Sequence, residues 1–135
     1  MKTDSIKLSA VIPATPEKIY KAYLNSKQHA AMTNGGAVKI SAKVGSKFSA
    51  WDGYCGGKIL ELIENKKIVS TWRADEFPED AEDSILEILL EPTEKGTKLT
   101  FIQTKIPAGL GKNYKSGWND FYFEPMIEYF KSKSK

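Results

Sequence analysis

Apolar and polar residues alternate at the start of the chain, with Ile6, Leu8, Ala10 and Ile12 on one side and Lys7, Ser9 and Val11 on the other. A period of two marks a half-buried strand over residues 6–12, and Pro13 stops it. The period then changes. Thr15-Pro16-Glu17-Lys18 supplies an N-cap and a proline at the first helical position, and Ile19, Tyr20, Tyr23 and Leu24 recur at helical spacing. Ser26 reads as a second N-cap, opening a short helix that Asn34-Gly35-Gly36 ends. Six short runs follow, over residues 37–42, 47–51, 58–63, 67–73, 84–91 and 98–106. Val44-Gly45-Ser46, Asp52-Gly53, Glu64-Asn65-Lys66 and Glu94-Lys95-Gly96 are tight-turn residues between them, so these strands form an antiparallel meander.

The last segment is predicted as a long helix over residues 113–130. Wound at about 100° per residue, Trp118, Phe121, Tyr122, Phe123, Pro125, Met126, Tyr129 and Phe130 fill one wide arc. Asp120, Glu124, Glu128 and Lys131 gather in the other. So aromatic a circumference requires a deep groove rather than a flat surface. Pro125 removes one backbone donor and should bend the helix about one turn earlier, around Phe121. The expectation is one α+β domain over residues 1–135: a curved seven-stranded antiparallel sheet wrapped around a long C-terminal helix, with two short helices between strands 1 and 2. Residues 132–135 read as a frayed tail. A helix inside a curled sheet cannot fill both of its ends, so a cavity between them is expected.

Composition narrows the function classes. The chain has 135 residues, 41% apolar and 27% charged, which is ordinary for a globular protein. No apolar run approaches the roughly 20 residues of a membrane span, and the N-terminus lacks the apolar core of a secretory signal. The expected location is the cytoplasm. The net charge of +3 is too weak to point to nucleic acid. Its distribution is uneven: Asp75, Glu76, Glu79, Asp80, Glu82 and Asp83 put −6 into nine residues, so the rest carries +9. This stretch is either a solvated loop or an acidic contact for a basic partner.

No catalytic set stands out, and the expectation is a non-enzymatic domain without cofactor or metal. Cys55 and His29 are the single cysteine and histidine. Cys55 reads as a small residue at a strand start and His29 as a surface or half-buried helix residue; a Cys–His dyad assembled by folding is the alternative. Gly35-Gly36 and Gly56-Gly57 match no phosphate-binding pattern and read as punctuation at strand entries. Glu61 lies mid-strand in Ile59-Leu60-Glu61-Leu62-Ile63. Perfect alternation puts it on the face of Ile59 and Ile63, where a cavity would need to give it a partner or raise its pKa; a bulge would turn it outward instead. Trp51, Trp72 and Trp118 are large anchors, for the core or for a ligand cage.

Four segments carry a resemblance. Val44-Gly45-Ser46-Lys47-Phe48, Trp51-Asp52-Gly53-Tyr54-Cys55-Gly56-Gly57, Lys67-Ile68-Val69-Ser70-Thr71-Trp72-Arg73 and Gly117-Trp118-Asn119-Asp120-Phe121-Tyr122-Phe123-Glu124-Pro125 occur in this order. Together they resemble the activator of heat-shock protein 90 ATPase homologue family, of the START-like, birch-pollen-allergen-like superfamily, and in particular the C-terminal domain of its eukaryotic co-chaperone. The similarity spans roughly residues 5 to 130. It implies a helix-grip fold, and its small stand-alone members suggest a bacterial origin. Strand faces, the helix arc and the resemblance together place Phe48, Trp51, Ile59, Glu61, Trp72, Phe77, Trp118, Phe121 and Tyr122 around one cavity for a small apolar or amphipathic molecule. The second reading is a co-chaperone-like domain that contacts heat-shock protein 90 through Asp75, Glu76, Glu79, Asp80, Glu82 and Asp83. The co-chaperone's N-terminal docking domain and polar, tryptophan-containing activation motif are not recognisable here, so the chain alone is expected not to stimulate the chaperone. A monomer is expected.

Overall fold

The computed structural model describes residues 3–33 and 36–133. The chain runs β1 (Thr3–Ile12), α1 (Pro16–Tyr23), α2 (Ser26–Thr33), β2 (Lys47–Ala50), β3 (Cys55–Ile63), β4 (Lys67–Ala74), β5 (Ser84–Thr93), β6 (Gly96–Pro107), α3 (Gly111–Trp118) and α4 (Glu124–Lys133). The strands form one antiparallel sheet in the order β1-β6-β5-β4-β3-β2. Strands β2 to β6 are the meander expected from their turns. Strand β1 pairs with β6, so α1 and α2 carry the chain from one edge of the sheet to the other. Ile12, Ile59, Ile68, Trp72, Leu86, Ile88, Leu99 and Phe101 turn their side chains from the sheet into a core completed by Trp118, Tyr122, Phe123, Met126 and Phe130 of the C-terminal helix.

The sheet has six strands, not seven. Residues 37–42 touch it at one bridge, Lys39 to Ser49. The Ala37 N–H that would extend this ladder is spent on Asp52 Oδ1 at 2.7 Å, and on the opposite edge Ile40 N–H donates to Ser26 Oγ at 2.9 Å. Ser26 is thus not the cap of α2. Asn25 is, accepting from Gln28 N–H at 2.9 Å. Thr15 does cap α1, accepting from Lys18 N–H. The stop at Asn34-Gly35 lies outside the described residues, as do Ser134 and Lys135 of the tail, while α4 continues through Ser132 to Lys133.

Two local irregularities shape the space between the helix and the sheet. Strand β2 ends at Ala50, one residue short of the expected end, because Trp51, Asp52 and Gly53 all have positive φ, at 53°, 57° and 91°. Only glycine takes this region freely, so Trp51 and Asp52 are strained. Asp52 holds the turn: its carboxylate accepts from Ala37 N–H, and its own amide donates to the Ala37 carbonyl. The C-terminal helix, in turn, is not bent by a simple kink. Between α3 and α4 lies one π turn, Asn119–Phe123, in which Glu124 N–H reaches back to the Asn119 carbonyl. It sits where the ring of Pro125 would crowd the preceding turn of an α-helix.

The N-terminus of α3 is tied to β1. Asp4 Oδ2 accepts from Gly109 N–H at 2.9 Å and from Gly111 N–H at 3.0 Å. A Cβ on Gly111 would stand 2.8 Å from that of Asp4, so this approach requires glycine. Gly56 and Gly57 are likewise more than punctuation. A Cβ there would meet Phe48 O at 2.5 Å and Thr71 O at 2.0 Å, so β3 lies closer to both neighbours than side chains would allow.

Candidate functional site

Where the turn between β2 and β3, strands β3 and β4, the loop after β4 and the C-terminal helix converge, they leave a cleft of about 400 Å³. Its floor is Cys55 from β3, Trp72 from β4, Trp118 from α3 and Tyr122 from the π turn, all nearly inaccessible to solvent. Its rim is Trp51 and Tyr54 from the strained turn, Glu76 from the loop after β4, and Asn113, Tyr114, Gly117 and Phe121 from the helix. Rows at i and i+4 explain the helix's share. Asn113, Gly117 and Phe121 form one row; Tyr114, Trp118 and Tyr122 form the next.

The rings brace one another edge to face. Trp72 stands at 5.4 Å from Trp118 and 5.0 Å from Tyr114, and Trp51 at 5.5 Å from Phe121. Behind the floor, a buried polar chain sets their orientation. Trp118 Nε1–H donates to Gln103 Oε1 at 2.8 Å, Gln103 Nε2 to Ser84 Oγ at 2.9 Å, and Ser84 Oγ–H to the Trp72 carbonyl at 2.6 Å. Gln103 and Ser84 are wholly buried and satisfied, as a buried polar network must be.

A second chain runs beneath Tyr122. His29 is fully buried, a correction to the expected surface or half-buried position. Its Nδ1 lies 2.8 Å from the Tyr23 carbonyl and its Nε2 2.7 Å from the Tyr122 hydroxyl. A carbonyl only accepts, so the proton is on Nδ1 and Tyr122 O–H donates to Nε2. Burial holds the imidazole neutral and pushes its pKa down to about 4, against the smaller upward pull of the Tyr23 carbonyl. Burial also raises the Tyr122 phenol well above its ordinary range. Cys55 points to the Ala50 carbonyl, and burial pushes its thiol up to about 12. Both nitrogens of His29 are occupied elsewhere, so the two residues do not form a dyad.

Among the described residues, Glu76 is the one charged side chain on the cleft. The phenols of Tyr54 and Tyr114 both donate to its Oε2. Partial burial pushes its carboxyl up, but the bonds from Tyr114, Tyr54 and its own amide outweigh this and leave it below the ordinary range. The same contact, after burial, raises both tyrosines. Glu76 is therefore an anion fixed at the mouth of an aromatic cleft.

Of the nine residues expected around one cavity, Trp51, Trp72, Trp118, Phe121 and Tyr122 border this cleft. Phe121 belongs to its rim, 56% exposed, rather than to the buried arc. Four do not. Ile59 is buried in the core, and Phe48 and Phe77 border a separate, more polar depression with Arg73 and Asp75. Glu61 faces outward because Leu60 is an extra residue between the pairs Ile59–Ser70 and Glu61–Val69, a bulge that reverses the alternation. Its carboxylate meets Lys67 Nζ at 3.3 Å. Tyr54, Cys55, Glu76, Asn113, Tyr114 and Gly117 were not in the expected set. Extending the helix arc one turn back from Trp118 and Phe121 would have found Tyr114 and Gly117, and a second turn back Asn113.

The acidic stretch is an ordered loop built around Arg73. The Arg73 guanidinium donates to the carbonyls of Ala81 at 2.7 Å and Pro78 at 2.8 Å, pairs with Asp83 at 3.2 Å, and lies over the Phe77 ring. All of the acids in this stretch are exposed; the carboxylate of Glu76 turns to the cleft, while Asp75, Glu79, Asp80 and Glu82 do not border it.

The fold and these segments have known relatives. Residues 13–131 match the family described as Activator of Hsp90 ATPase homolog 1-like protein. Activator of 90 kDa heat shock protein ATPase homolog 1 of Homo sapiens is 28% identical over 95% of this chain and 37% of its own length. The chain spans a little over a third of the curated relatives it matches. The crystal structure of an HSP90 activator from Plasmodium falciparum superimposes with a TM-score of 0.84 over 94% of this chain and 96% of that one, at 23% identity. A protein of Chromobacterium violaceum gives 0.73 over 92% and 94%, at 29% identity. No helix among the described residues is long and apolar enough to cross a membrane. With the match running from the end of β1 to the last turns of α4, the chain belongs to the Activator of Hsp90 ATPase homolog 1-like family.

Proposed function

We propose that this domain holds a small apolar or amphipathic molecule in the cleft between the C-terminal helix and the sheet, without catalysing a reaction on it. One observation carries the reading: about 400 Å³ of space lined by seven aromatic side chains and a single carboxylate. Ligand pockets have volumes of about 300–1,000 Å³ and this composition, largely apolar with few placed polar groups. Cys55 and His29, the natural candidates for chemistry, are buried with their polar atoms directed at other partners. The cytoplasm is the compartment that fits this reading.

Gly117 provides the test. It is a glycine inside a helix, where glycine costs about 0.5–1 kcal/mol relative to alanine. A Cβ there would meet only Phe121 Cδ2, at 3.9 Å. The missing side chain keeps the cleft open. Gly117→Leu should fill it while leaving stability equal or higher. In titrations with a panel of fatty acids, sterols and flavonoids, amide shifts around Trp72, Trp118 and Tyr122 should appear in the parent with at least one compound and vanish in this variant. Absence of shifts in the parent with every compound, or shifts confined to the outer sheet face, would count against the reading.

A second reading is favoured by the relatives' names. Human and mouse relatives are activators of the 90 kDa heat-shock protein ATPase, and a contact with that chaperone would use the exposed acids Asp75, Glu79, Asp80 and Glu82.

A further inference from the structure

We infer that the cleft selects an organic ammonium ion, a positively charged nitrogen attached to an apolar body. The inference rests on the ligand-binding reading and names the chemistry it takes. Trp51, Tyr54, Trp72, Tyr114 and Phe121 line the cleft, and among the described residues no lysine or arginine lines it. A ring face carries partial negative charge and attracts a cation within about 6 Å of its centroid. Several such faces around one space accommodate a quaternary or protonated nitrogen better than a neutral group, and repel an anion.

Glu76 gives the cleft its polarity. Among the described residues, no lysine or arginine lies within salt-bridge distance of its carboxylate. Arg73, on the adjoining strand, is engaged by the loop carbonyls and Asp83. Two phenols fix Glu76 through Oε2, and Oε1 accepts from neither of them. A carboxylate without a counter-ion, held rigid beside aromatic faces, complements one cation at the mouth and an apolar body on the floor of Trp72, Trp118 and Tyr122.

Three probes of one shape separate the possibilities: phenyltrimethylammonium, its uncharged isostere tert-butylbenzene, and benzenesulfonate. Binding is read by amide shifts and tryptophan fluorescence of the full chain at low salt. The ammonium ion should bind about tenfold more tightly than the isostere, equivalent to about 1.4 kcal/mol, and the sulfonate should bind least. Glu76→Gln retains an oxygen for both tyrosines; it should reduce affinity for the cation several-fold and leave that for tert-butylbenzene unchanged. Phe121→Leu removes an exposed ring while keeping apolar contact, and should again weaken the cation selectively. Equal binding of all three probes in the cleft, or tightest binding of the sulfonate, would overturn the cation preference and leave the ligand-binding reading standing. No shift in the cleft with any probe would overturn both. If Glu76→Gln and Phe121→Leu change the affinities for cation and isostere alike, the preference is also overturned.

Discussion

At the scale of single residues, His29 makes the sharpest claim about solution behaviour. Its pKa falls from 6.5 in the unfolded chain to about 4 in the fold. The unfolded state therefore binds more protons between these values, so stability is highest above about pH 6.5 and is lost as pH falls toward 4. The full shift corresponds to about 3 kcal/mol. Urea midpoints should begin to fall near pH 6.5, above the range in which carboxylates titrate. In His29→Gln the absolute stability will be lower, but the decline between pH 6.5 and 5 should disappear. An identical decline in both proteins would show that other groups are responsible. Nothing in the local sequence announces this role. His29 lies in a short helix with little amphipathic pattern, and its partner Tyr122 is 93 residues away.

At the scale of elements, alternation and turn chemistry made most of the sheet legible. They did so because burial of one face imposes a period of two on β1, β4 and β5, whatever their partners. The failures have local physical causes. Residues 37–42 have strand-like composition, yet Asp52 captures the Ala37 donor that would extend the ladder, and Ser26 ties the other edge to α2. A bulge at Leu60 leaves no mark on composition, so only its pairing decides which way Glu61 faces. The wide aromatic arc located the C-terminal helix, while the π turn was foreshadowed only by the proline that comes after it. The start of α3 gives a prediction of its own. Asp4 serves as its cap from another element, and Asp4→Ala should cost about 1 kcal/mol, the usual loss for an N-cap. Thermal unfolding would measure it, and Asp4→Asn should recover most of the loss by keeping an acceptor. Equal destabilisation by both substitutions would mean that charge, rather than the two hydrogen bonds, matters here.

At the scale of the molecule, the cleft was only half legible. The large rings could be listed from the helix and strand patterns, but Tyr54 and Glu76 come from turns whose approach is made by the folded sheet. The acidic loop belongs to this scale too, since it tests the chaperone reading. Neutralising Asp75, Glu79, Asp80 and Glu82 to Asn or Gln leaves Arg73 and its partners intact. If these acids contact the chaperone, association should weaken in the variant, and the parent's association should fall as salt shortens the screening length from about 10 Å at 0.1 M to about 3 Å at 1 M. Pull-downs and ATPase assays with the chaperone from the same organism would check this. We expect no ATPase stimulation by this domain alone, and clear stimulation would favour the chaperone reading over the ligand cleft. The pairing of the first strand with the last has a consequence for how the protein is made. Thr3 meets Pro107 and Ile12 meets Thr97, so β1 has no partner until β6 has been synthesised. At about 5–20 residues per second, it waits roughly 5–20 s with Ile6, Leu8 and Ile12 uncovered. The meander can assemble as it emerges from the ribosome, but the edge that carries Asp4, and with it the anchored start of the cleft helix, closes last.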